Sequence, residues 1–238
     1  MNRREALISL VQLSALGAIS SASAGVIRSD THLPVGTRVD ALPSPPGPGA
    51  LAYLTATEAQ EVAAIFDRLI PEDELGMSAS QAGCVVFLDR ELAGPYGRAA
   101  STYRLGPFKE GTPEQGPQLR LTPAERYREA LQRLGEYCHA KHGKPFSALA
   151  GEQQDNLLRA MEAGQQLLPA PLDASFFALL LQNVREGYLA DPMYGGNRDM
   201  VGWRLIGFPG ARYDYRPYLH KKGQRLDLEP VSLLDKAR

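Results

Sequence analysis

The chain has 238 residues, 44% of them hydrophobic and 22% charged, the balance of an ordinary globular protein. Its first 24 residues read as a removable signal, leaving 214, enough for one domain that buries roughly 70% of its unfolded surface. Cleavage would remove Arg3, Arg4 and Glu5 and move the formal net charge from −1 to −2, which excludes an electrostatic case for nucleic acid as a partner.

Arg3-Arg4 precedes a short, weakly apolar stretch, Ala6 to Ile19, interrupted by Ser9, Gln12, Ser14 and Gly17. Ala22-Ser23-Ala24 supplies a small-residue cleavage site. The stretch is too short and too polar to span a bilayer well. Twin arginines before a core of low hydrophobicity suit the twin-arginine export machinery, which carries folded cargo. Asn2, Ala6 and Ile8 depart from that pattern, and a general secretory signal is the other reading. Either route leads out of the cytoplasm.

Residues 25–50 are rich in Pro, Gly and Ser and form a linker or extended arm. Helical periodicity starts at once afterwards. Thr55-Ala56-Thr57-Glu58 fits a capping box, Val62, Ile65, Phe66, Leu69 and Ile70 share one face, and Pro71 ends the helix. A second helix is expected from about Ser80 to Leu92, with Cys84, Phe87, Leu88 and Leu92 on one stripe. Residues 94–121 form a long loop broken by repeated Gly and Pro, a length that is usually functional or interfacial.

Thr122-Pro123-Ala124-Glu125 is a second capping box with Pro in the first turn. Tyr127, Ala130, Leu131, Leu134 and Cys138 make the buried stripe of that third helix, which Gly143 and Pro145 close. A fourth helix covers about Glu152 to Ala163. A fifth begins near Asp173, carries Phe176, Phe177, Leu180, Leu181, Val184 and Tyr188, and stops before Pro192. Beyond it, Asp191 to Gly210 gathers five glycines around the single tryptophan, Trp203. Tyr213, Tyr215 and Tyr218 then alternate with charges in a tail read as extended over the helical body. The fold class is all-α: one helical domain, residues 51–238, with five or six helices, a long Gly/Pro loop and an extended C-terminal tail.

Cys84 and Cys138 permit one disulfide in an oxidising compartment, and buried free thiols are the alternative. Cys138, His139 and His142 lie close in sequence on the third helix, but no second ligand pair stands at a matching spacing, so a zinc site is disfavoured. His139 and His142 suit exposed carbonyls at a helix C-terminus instead. Ser101 and Ser175 lack the Gly-x-Ser-x-Gly elbow, and Glu72-Asp73-Glu74 reads as a solvated turn. There is no Gly-x-Gly-x-x-Gly after a strand, no Walker loop and no Cys-x-x-Cys-His. No cofactor is therefore expected in this chain.

The segment from Asp191 to Trp203 is the unusual one. Gly195 and Gly196 permit positive φ and close backbone approach, Asn197 and Asp199 can bond local amides, and Tyr194 and Trp203 bring large amphipathic surface. Three readings stand: a turn that locks the tail onto the helices, a partner interface formed by Tyr194, Gly195, Gly196, Asn197, Arg198, Asp199 and Trp203, or a catalytic segment.

Asp191-Pro192-Met193-Tyr194-Gly195-Gly196-Asn197-Arg198-Asp199-Met200-Val201-Gly202-Trp203 and Ile206-Gly207-Phe208-Pro209-Gly210-Ala211-Arg212 resemble the gluconate 2-dehydrogenase subunit 3 family. Leu92-Ala93-Gly94-Pro95-Tyr96-Gly97 and Pro113-Glu114-Gln115-Gly116 are similar to the family as well, so the likeness runs from about 51 to 232. The resemblance implies a small subunit with no catalytic residues of its own. Its partners would be an FAD-binding flavoprotein large subunit of the glucose–methanol–choline oxidoreductase type and often a multihaem cytochrome c subunit. It further implies a periplasmic location, inner-membrane association through the complex, and a role in export and maturation of the flavoprotein. Relatives serve gluconate, other sugar acids, fructose or glucose. An independent periplasmic enzyme and a scaffold that binds carbohydrate or envelope components are the competing readings.

Overall fold

A computed structural model describes residues 49–109, 111–112, 115, 120–165, 168–212, 214–224 and 226–234. The chain divides into units 1–40 and 41–238, and every described residue belongs to the second. The expected export signal and nearly all of the Pro/Gly-rich arm lie outside the described residues.

The described residues hold six α-helices and no strand, an all-α architecture. They are α1 (Ala56–Leu69), α2 (Cys84–Ala93), α3 (Pro123–His142), α4 (Gly151–Glu162), α5 (Ala174–Leu189) and the short α6 (Val201–Ile206). Capping sets where α1, α3 and α5 begin. Thr55 and Thr122 each accept the N–H of the third helical residue, Glu58 and Glu125, whose carboxylates accept the threonine N–H in return at 2.8 Å. Asp173 accepts the N–H of Phe176 at 2.9 Å and starts α5.

The second helix begins four residues later than its periodicity suggests. Ser80 gives both its N–H and its hydroxyl to the Asp67 carboxylate, and Gly83 takes φ +85°. These interactions hold residues 80–83 in turns, so the helix opens at Cys84.

The stripes read from the sequence face one core. Val62, Ile65 and Phe66 of α1, Leu88 and Leu92 of α2, Tyr127 and Leu134 of α3, and Phe176 and Leu180 of α5 are all buried in it. The Tyr127 and Phe176 rings meet edge to face, centroids 5.5 Å apart. Two buried polar side chains of the bundle, Asn183 and Asp89, are fully engaged. Asn183 accepts the Tyr127 hydroxyl at 2.9 Å and donates to the Tyr96 hydroxyl and the Glu186 carboxylate. Asp89, buried on α2, accepts the main-chain N–H groups of Ala52, Tyr53 and Leu54 at 2.7–2.9 Å, which fixes where the chain enters the bundle. Among the described residues no helix is long and apolar enough to cross a membrane.

Candidate functional site: the glycine-rich junction of α2, α5 and α6

The junction begins where α5 stops. Asp191 accepts the N–H of Met193, and its carboxylate also takes the Ser232 hydroxyl and the Leu233 N–H, both at 2.8 Å. One side chain thus opens a tight turn over Pro192–Tyr194 and ties Ser232 and Leu233 to it. The tail is clasped a second time where Gly210 and Val231 pair in a parallel bridge, with Ala211 N–H donating to the Val231 carbonyl at 2.7 Å.

The chain then runs back against α5 and the start of α2. A Cβ on Gly196 would come within 2.0 Å of the Gly187 carbonyl oxygen, so only glycine allows this approach. A Cβ on Gly202 would come equally close to the Tyr188 carbonyl oxygen. The main-chain N–H of Arg198 donates to the Ala82 carbonyl at 2.9 Å. Asn197 is wholly buried at φ +46°, with its amide donating to Ala190 O and accepting from Gly202 N–H, each at 2.8 Å. It replaces missing secondary structure with a side-chain bridge. Asp199 and Met200 also adopt positive φ, a cluster of left-handed residues held by the contacts around them.

Trp203 closes the arrangement. It is 5% exposed, donates its indole N–H to the Leu189 carbonyl at 2.7 Å and meets the Phe208 ring edge to face, 5.2 Å away. The seven residues singled out from the sequence are therefore brought together, but they divide. Gly196, Asn197 and Trp203 point into the protein, whereas Tyr194, Arg198 and Asp199 are exposed. Trp203 belongs to the lock, and a direct anchoring contact to a partner would need it at the surface.

The sequence reading overlooked the outer face of α6. Leu205, Ile206 and Phe208 are exposed, Ile206 by 60%, beside a groove of about 720 Å³ walled on its far side by residues 226–230. Arg204 and Glu229 approach to 3.6 Å across it. The available signal was the run Leu205-Ile206-Gly207-Phe208, too short for its outward side to be read.

Cys84 and Cys138 are both free and buried, so the pairing permitted by the even count is not formed. Burial, with Asp67 nearby, pushes the Cys84 thiol up to about 12, and burial with Glu61 nearby pushes Cys138 up to about 11. Neither is an activated nucleophile. Cys138 faces the core while His139 is exposed, and no group of three His, Cys, Asp or Glu able to hold a metal occurs among the described residues. Ser175 donates to Asp173 and accepts from Arg126 at the start of α5, without a histidine. Glu72 accepts from Gln81, and Asp73 organises its own turn.

An all-α body whose short last helix is locked to its neighbours by a glycine-dependent junction is the class of fold that the described residues define. The family model for gluconate 2-dehydrogenase subunit 3 matches residues 56–210, from the first residue of α1 to the glycine of the tail bridge, and the chain belongs to that family. Membership makes it a subunit type of multi-subunit dehydrogenase complexes. No curated protein and no solved structure matches the chain.

Proposed function

We propose that this chain is a non-catalytic accessory subunit that supports export, maturation and assembly of an FAD-dependent periplasmic dehydrogenase acting on gluconate or a related sugar or sugar acid. The family match over residues 56–210 carries the reading. FAD is assigned to the flavoprotein large subunit and haem c to a cytochrome subunit, because this sequence has neither a dinucleotide fingerprint nor a Cys-x-x-Cys-His. Arg3-Arg4 suits a route for folded cargo, which is useful when a cofactor must be inserted before transport. Membrane association then comes only through the complex.

The docking face is the outer side of the junction: Tyr194, Arg198 and Asp199 together with Leu205, Ile206 and Phe208. Apolar and aromatic groups rimmed by charge suit the centre and edge of a protein interface. The buried Gly196, Asn197 and Trp203 hold that face in shape. The test is affinity purification of the tagged chain from cells producing the flavoprotein, with bound flavin measured. Ile206→Asp should reduce flavin recovery while the chain's melting temperature stays within a few degrees. Full recovery with Ile206→Asp moves the docking face elsewhere, and absence of any flavoprotein with the wild-type chain defeats the accessory-subunit reading.

A further inference from the structure

Tyr215 and Tyr218 belong to an excursion of the chain that begins where the family match ends, at residue 210. Its two ends are clasped: Gly210 pairs with Val231, and Arg212 donates to the Glu229 carbonyl at 2.6 Å. Between them lies a short 3-10 helix, Arg216–Lys221, and the Tyr218 N–H donates to the Tyr215 carbonyl at 2.9 Å. From Tyr215 to Gln224 every residue except Tyr218 is exposed, Leu219 by 73%. The excursion is therefore a convex tip on a fixed base, the form of a surface loop whose ends meet.

The tip is also basic. The whole chain carries a formal charge of −1, yet no Asp or Glu occurs from Tyr215 to Gln224, where Arg216, Lys221 and Lys222 stand. Arg216 is committed to Asp214, to which it donates twice, at 2.8 and 2.9 Å. The remaining positive charge is that of Lys221 and Lys222, separated from the exposed Leu219 by His220 alone. Lys221 lies 6.0 Å from the centre of the Tyr218 ring, which places cation and aromatic side by side.

We propose that this tip rests on an anionic lipid bilayer. Lysines beside tyrosine rings and a projecting leucine suit the layer between charged headgroups and acyl chains, where each finds its own surroundings. Shape favours lipid over an acidic protein. A leucine on a convex tip is buried by a surface that yields, whereas a rigid protein must offer a matching pocket. The contact is too small to anchor the chain and is reversible. It sets which side of the chain faces lipid once the other subunits hold the complex at the membrane. It uses none of the residues of the docking face and needs only this chain, so it stands or falls separately from the accessory-subunit reading.

Amide signals of the purified chain, followed at low ionic strength with lipid nanodiscs carrying a trace of spin-labelled lipid, decide the matter. Discs of phosphatidylglycerol and phosphatidylcholine in equal parts should broaden residues 215–224 first. Discs of phosphatidylcholine alone should act at least about fivefold more weakly, the scale of one cation at a charged surface. Salt at about 1 M, which shortens the screening length to about 3 Å, should abolish the effect. Lys221→Glu/Lys222→Glu and Leu219→Asp alter exposed side chains and should leave the rest of the spectrum unchanged. Each should weaken the partition about tenfold or more. Flavin recovery in the affinity purification should be the same for the lysine variant as for wild type. No broadening, broadening centred elsewhere, equal broadening by both lipids, or unchanged partition in either variant overturns the inference. Loss of flavin recovery in the lysine variant overturns it too, by making the tip a protein contact.

Discussion

Trp203 donates its indole N–H to the carbonyl of Leu189 across 2.7 Å, so the only tryptophan in the chain ties α6 to the last turn of α5. That bond sits behind the outward face of α6 and supports it. Trp203→Ala should therefore cost about 3–5 kcal/mol of folding stability, with a matching fall in the melting temperature. Partner binding should fail as a consequence of the damaged fold, in contrast to Ile206→Asp. A Trp203→Ala chain that melts like wild type would place the indole outside the packed lock.

Gly196 provides a sharper test of the junction. The Gly187 carbonyl occupies the place a Cβ would need, and the neighbouring atom is backbone that cannot swing aside. Gly196→Ala should destabilise by about 1–3 kcal/mol or more through overpacking. Gly143→Ala is a useful comparison, because a Cβ there meets nothing within 4 Å and only the positive φ is strained. Denaturant midpoints should fall further for Gly196→Ala than for Gly143→Ala.

The two thiols should be silent in the folded protein. Burial raises both, Cys84 to about 12 and Cys138 to about 11, and removes them from solvent. A thiol reagent at mildly alkaline pH should label neither until denaturant is added, and then label both. Immediate reaction of the native chain, or no reaction after unfolding without reductant, contradicts the buried free-thiol state.

Acid should weaken the fold partly through two ion pairs. The bidentate hydrogen bond from Arg68, at 2.7 and 2.8 Å, holds Asp155 below the usual carboxylate range. Burial raises Glu58, but the Thr55 N–H and hydroxyl and the Arg128 guanidinium outweigh it and leave the group lowered. A lowered folded-state value means that the stabilisation is fully present above the unfolded value of roughly 4 and disappears as pH falls through the folded value. Arg68→Gln should be less stable than wild type at neutral pH, and the gap should close as pH drops below that range. Denaturant midpoints from neutral pH downward measure it, and a gap that widens in acid would reverse the sign.

By itself the sequence determined what depends on neighbours a turn apart. Thr55 with Glu58 and Thr122 with Glu125 announce helix starts because each box is closed within three residues. The stripes of α1, α3 and α5 follow from the same short-range period, and so does the all-α class. The tertiary structure decided what depends on contacts between elements. Gly83 broke the expected start of α2 under constraints from Asp67 on α1. The inward turn of Trp203 required the Leu189 carbonyl, and the inward turn of Asn197 required Ala190 and Gly202. A tryptophan between glycines suits a buried lock and an exposed anchor equally well, since its ring and its N–H are identical in both. The packing of α6 on α5 chose the first, and it left Leu205, Ile206 and Phe208 on the outside.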